Sequence, residues 1–193
     1  MKEFRATEEK KGQSAGSNTL VLSKPPESDE VVTYIDRLST SSSQSTAIIT
    51  SHYHSSQSII DSWRNLLGPL PPNLGIISVG ESMRSTAAGP STIEMQNTSV
   101  STVSEKDITG ISIALNEYIN RWKNEPQPVL WFDSVTPLEK SVGLETTFRF
   151  LHLVTGSVQW SNIDGFYHMD PSAHDEQTIH SIMHLFDNVV ELE

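Results

Sequence analysis

The sequence predicts an α/β fold of three layers, a mainly parallel sheet with helices on both faces. Three observations predict it. Short apolar runs of strand length alternate with longer segments of helical periodicity. The stretch 164–192 reads as strand, capped helix and strand. Parallel neighbours need crossover connections, and the helical segments lie between the strands where crossovers must be.

Residues 1–18 mix charge with Gly, Ser, Gln and Asn and carry little apolar content beyond Phe4. Such a segment cannot offset the entropy of ordering, so a flexible tail is expected ahead of one domain at 19–193. Thr19-Leu-Val-Leu-Ser23, bounded by polar residues, predicts a buried parallel strand. Val31, Val32, Ile35 and Leu38 then recur at helical spacing, with Ser28 or Asp29 as the N-cap. The unit repeats: Thr46-Ala-Ile-Ile-Thr50 is a strand, and Ile59, Ile60, Trp63, Leu66 and Leu67 mark a helix that stops at Gly68.

Leu74-Gly-Ile-Ile-Ser-Val79 is the third strand. Gly80 to Pro90 is rich in Ser, Gly and Ala, and residues 91–96 alternate only weakly, so 80–103 reads as a long loop with one edge strand. A helix is predicted from Ser104, with Asp107 in its first turn and Ile108, Ile111, Leu115, Tyr118, Ile119 and Trp122 as its stripe. Pro126 and Pro128 end it, and Val129-Leu-Trp-Phe-Asp133 follows as a dense strand. Beyond Pro137, residues 144–158 predict a helix, 164–169 a strand, 175–186 a helix and 188–192 a last core strand.

Composition narrows the function. The formal charge is −11, from 24 acidic and 13 basic residues, a field that repels phosphate backbones and acidic membranes. Direct nucleic-acid binding is therefore not expected. No apolar run approaches a membrane span and the N-terminal residues form no signal peptide, so a cytoplasmic protein is expected. The absence of cysteine removes disulfides, thiolate nucleophiles and zinc–thiolate sites. Few lysines, many Ser and Thr and surplus acid match the surface chemistry of salt-adapted proteins.

The turn after the first strand is Ser23-Lys24-Pro25-Pro26-Glu27-Ser28. A phosphate-binding loop needs glycines that let backbone N–H groups wrap the phosphates, followed by a lysine. This turn has no glycine, two prolines without N–H donors and a carboxylate. Lys24 lies too far ahead of the helix to serve as the phosphate lysine and reads as a surface residue. Asp133 ends its strand as a magnesium-binding acid would, or else caps the following turn with Ser134 and Thr136. Only a non-standard nucleotide site would use both Lys24 and Asp133.

The histidines read as structural. His180 and His184 are spaced i and i+4 on one helix, and His168 and His174 precede them, but the helix lacks His-Glu-x-x-His. No metal site is assigned. His52 and His54 stand out only by following a strand at the edge where ligands collect. Gly-x-Ser-x-Gly is absent, and Trp63, Trp122, Trp131 and Trp160 read as core or interface anchors.

The strand-helix order over residues 18–192 resembles the RecA/KaiC superfamily, in particular degenerate KaiC-like proteins of salt-loving archaea. The stretches that carry the resemblance are Pro128-Val-Leu-Trp-Phe-Asp-Ser-Val-Thr-Pro-Leu and the segment from Gly165 to Leu192. It implies a RecA-like sheet with Asp133 at the Walker B acid. The departure at Lys24-Pro-Pro-Glu27 keeps catalysis from being carried over. The expected function is non-catalytic regulation or signalling through a protein partner or through self-association as a homodimer, with no cofactor. The alternative is a nucleotide sensor or weak ATPase. The loop 80–103 and the sheet edge beside Asp133 are the expected contact surfaces.

Overall fold

Apolar runs bounded by polar turns become the strands of one sheet in a computed structural model, which describes residues 16–38, 46–80, 90–95 and 97–192. The strands are β1 (Asn18–Leu22), β2 (Ala47–Ser51), β3 (Leu74–Val79), β4 (Ser91–Met95), β5 (Thr98–Val103), β6 (Val129–Asp133), β7 (Asp164–Met169) and β8 (Asn188–Glu191). The helices are α1 (Ser28–Leu38), α2 (Ser56–Leu66), α3 (Ile108–Trp122), α4 (Val135–Val142), α5 (Leu144–Trp160) and α6 (Glu176–Met183). The strand order is β4-β5-β3-β2-β6-β7-β1-β8, and every neighbouring pair is parallel except the β4–β5 hairpin.

Alternation along the strands divides the core in two. Val21, Ile49, Ile76, Val100, Trp131 and Phe166 pack with Val31, Val32 and Ile35 of α1 and Ile59, Ile60 and Trp63 of α2. Leu20, Ile48, Ile77, Leu130, Phe132 and Tyr167 pack with α3, α4, α5 and α6 on the opposite face. The layers are therefore helix, sheet, helix. Burial pushes the Tyr167 hydroxyl far above its ordinary value, and it donates to Asn18 Oδ1 at 3.0 Å.

Several elements differ from expectation. Loop 80–103 holds a hairpin, and its second strand, β5, is an interior strand built on Thr, Ser and Val. Its serines are satisfied by neighbouring elements, Ser101 by the Tyr118 hydroxyl of α3 and Ser99 by Glu94 of β4, each at 2.8 Å, so apolar patterning alone understates it. The remainder of that loop, 81–89, lies outside the described residues. Pro137 does not break the chain but sits in the first turn of α4, where its missing N–H has no intrahelical partner to lose.

The end caps also move. Asp107 is the N-cap of α3 and accepts from Gly110 N–H at 2.8 Å. For α1 the first helical carbonyl is that of Glu27, bonded by Val31 N–H, rather than one from Ser28 or Asp29. β8 is an exposed edge and not a core strand, because only β1 flanks it. The end of the expected tail is packed: Gly16 is buried against the Ile163 backbone, Ser17 bonds Asp164, and β1 begins at Asn18. Residues 1–15 lie outside the described residues.

Candidate functional site

The carboxyl ends of the parallel strands gather the chemistry, as in other open α/β sheets. Here four spatially adjacent strand ends are joined by one chain of buried polar groups. Ser51 ends β2, and its hydroxyl lies 3.5 Å from Asp133 Oδ2 at the end of β6. Asp133 Oδ1 lies 3.2 Å from His168 Nδ1 in β7. His168 Nε2 donates to the Ser23 carbonyl, just past β1, at 3.0 Å. Asp133 and His168 are both fully buried. His168 Nε2 serves as a donor to that carbonyl, and its Nδ1 side is turned to Oδ1 of the Asp133 carboxylate. Neither atom has another hydrogen-bond partner and the alignment is poorer than in a full hydrogen bond, so the contact is chiefly electrostatic.

A second layer surrounds this chain. Ser134, not Asp133, caps α4, accepting from Thr136 N–H at 3.2 Å, and it also donates to the His168 carbonyl. His52 Nδ1 lies 3.0 Å from both the Ser134 backbone nitrogen and the Asp133 carbonyl oxygen, and its Nε2 is buried and without a partner. Burial holds the His52 ring below its ordinary value of 6.5, so it is neutral at pH 7. Thr136 Oγ1 accepts from Asp170 N–H at 2.9 Å and contacts His174 Nε2 at 3.0 Å. His174 Nδ1 then points to Glu139 Oε2 at 3.4 Å, and burial, followed by Lys140, keeps that imidazole below its ordinary value.

The turn after β1 uses its acceptors, whereas a phosphate loop would use its donors. The Ser23 carbonyl takes His168, and the Pro26 carbonyl lies 2.7 Å from His54 Nε2. Pro25 and Pro26 offer no N–H, and Glu27 N–H is bonded to the Glu30 carboxylate at 2.9 Å. An anion arriving at the start of α1 finds a carboxylate there already. The adjoining cleft, about 640 Å³, sets Glu27, Glu30, Asp170 and Glu191 against Lys24 alone. A nucleotide phosphate with magnesium does not fit these residues: the two prolines supply no N–H, the lining is acidic and Asp133 has no exposed surface.

Lys24 is thus exposed on the rim of one cleft while Asp133 is sealed beneath the strand ends. His180 and His184 lie on the outer surface of α6 and its C-cap, apart from the buried His168 and the Thr136-bound His174. Among the described residues no three His, Asp or Glu side chains are placed to hold a metal. His52 and His54, which the sequence marks by position alone, directly after β2, line a second cleft of about 420 Å³ with Ser78, Gly80 and Glu105. Trp63, Trp122 and Trp131 are core residues as expected, and Trp160 is 91% exposed. Among the described residues no helix is long and apolar enough to cross a membrane.

Comparison with known proteins agrees with this architecture. No curated protein matches the chain. A solved protein of Pyrococcus horikoshii OT3 (PH0250) is similar at 10% identity and a TM-score of 0.59, over 93% of this chain and 83% of that one. A prototypical ATPase from the type III secretion system of pathogenic bacteria is similar at 10% identity and TM-score 0.50, over 93% of this chain and 51% of that one. The chain thus spans about half the length of that ATPase. The flagellar accessory protein FlaH of Methanocaldococcus jannaschii matches at 11% identity and TM-score 0.47, over 93% and 72%. The fold is a RecA-like α/β sandwich of the kind found in ATPases. With a family model that spans residues 16–192, the chain belongs to the family of unknown function DUF7504.

Proposed function

We propose that this chain is a non-catalytic, KaiC-like member of the RecA fold that regulates or signals through contact with other protein chains. One observation carries the reading. The turn that would cradle a phosphate presents two carbonyls to His168 and His54, and its Glu27 N–H to Glu30. The carboxylate that would hold magnesium is tied to His168 in the interior. A fold whose ligand edge is closed by its own side chains keeps its scaffold and gives up that chemistry. The acidic balance of the chain supports a salt-adapted setting and argues against nucleic acid as a direct partner, and the absence of cysteine suits a cytoplasmic one.

Calorimetric titration with magnesium and ATP in high salt tests the proposal. The expected result is no binding heat and no thermal shift at millimolar nucleotide. Saturable heat lost in Lys24→Ala would establish instead the nucleotide-sensor reading, in which Lys24 and Asp133 serve a non-standard site.

A further inference from the structure

We propose that the β4 edge is a self-association surface, on which a second copy of the chain lays its own β4 antiparallel and joins two sheets into one. The inference rests on the interaction-based reading above and names the partner.

A terminal strand leaves alternate N–H and C=O groups without a ladder partner, which makes it a template for another strand. The two ends of this sheet differ. β8 follows Asp187 and contains Glu191, charges of the sort that blunt an edge. β4 carries a single acid, Glu94, and that one is held by Arg121 at 2.8 Å and by Ser99 at 2.8 Å. Ile93 and Met95 are 57% and 49% exposed and lie on one face of the strand. Among the described residues nothing pairs with the outer side of β4, and the edge offers backbone hydrogen bonds and apolar side chains together.

The occupant follows from register. A two-fold axis normal to the sheet makes one residue of β4 face its own copy. Centring on Ile93 pairs the whole strand, Ser91 with Met95 and Thr92 with Glu94. Centring on Glu94 sets carboxylate against carboxylate and pairs only residues 93–95. Centring on Thr92 leaves Glu94 and Met95 without partners. The Ile93 register is the one that stacks Ile93 on itself, gives each Glu94 a hydroxyl neighbour and brings no like charges together. The strand is self-complementary.

The chain contains no cysteine, so one introduced thiol reads the register directly. Directly opposed residues lie close enough to cross-link, and Ile93→Cys is expected to form a covalent dimer under mild oxidation roughly tenfold faster than Thr92→Cys. Thr92→Cys mixed with Glu94→Cys should cross-link faster than either does alone. By light scattering the native chain should be a dimer, Ile93→Lys and Ile93→Glu each monomers, and their equimolar mixture a dimer again. Ile93 is exposed, so these variants should keep the native circular dichroism. A native chain that is monomeric at all concentrations, a dimer that persists in Ile93→Lys, or equal cross-linking of Ile93→Cys and Thr92→Cys would each overturn the proposal. None of those outcomes touches the non-catalytic reading, which falls only if magnesium and ATP bind.

Discussion

His168 Nδ1 stands 3.2 Å from Asp133 Oδ1 with both side chains wholly buried, and through this contact β7 is tied to β6. His168 reaches β1 through the Ser23 carbonyl, and Asp133 reaches β2 through Ser51, so one pair braces four strand ends. Bracing of this kind is expected to be energetically coupled. Removing one partner leaves the other buried and uncompensated, so His168→Leu should lose about 3–5 kcal/mol in urea unfolding. The double variant Asp133→Leu with His168→Leu should cost clearly less than the sum of the singles. Additive losses would mean that the two groups merely sit side by side.

Stability should fall on mild acidification. Burial holds His52 and His174 below their ordinary value of 6.5. Above 6.5 both states carry neutral rings; as pH drops through 6.5 toward the lower folded values, the unfolded chain binds more protons and stability is lost. Thermal unfolding between pH 7.5 and 5 should show this slope, and replacing both histidines with Gln should flatten it. An unchanged slope would assign the acid sensitivity to carboxylates instead.

Gly75 in β3 lets the sheet approach α3. A Cβ there would lie 2.7 Å from Trp122 Cζ3 and 2.9 Å from Tyr118 Cδ2, two rings stacked with centroids 5.2 Å apart. Both rings are buried and cannot swing away. Gly75→Ala is expected to cost about 1–3 kcal/mol through overpacking, and Gly75→Val more, as read from the denaturation midpoint. A neutral Gly75→Val would show that the helix can shift outward freely.

The tryptophans give an optical check of burial. Trp63, Trp122 and Trp131 are 7% exposed or less, whereas Trp160 is 91% exposed at the end of α5. Iodide should therefore quench one component of the emission, and Trp160→Phe should remove it with stability unchanged within about 0.5 kcal/mol. Quenching that survives this substitution would place a second indole in solvent.

Much of the fold was legible before any coordinates because it rests on local periodicity. The runs 19–22, 47–50, 74–79 and 129–133 are apolar enough to be strands anywhere, and the stripes of α2, α3 and α5 repeat at helical spacing. β5 was not legible, since Thr-Ser-Val-Ser-Thr-Val is buried only because Tyr118 and neighbouring strands satisfy its hydroxyls. α4 hid behind Pro137, whose meaning depends on where the helix starts. At the site, position singled out Asp133 and the turn chemistry argued against a phosphate loop. Neither could reveal that His168, His54 and Glu30 close the same edge.

The chain by itself determined its layer architecture, its acidic field and the two prolines and carboxylate between Ser23 and Ser28, because propensity, charge and missing N–H groups are properties of residues in order. The tertiary structure alone decided which groups meet. Ser23, Ser51, Asp133 and His168 are distant in sequence, and their alignment exists only because the strand order sets β2, β6, β7 and β1 side by side. Sheet order likewise left β4 at an edge, with Ile93 in solvent.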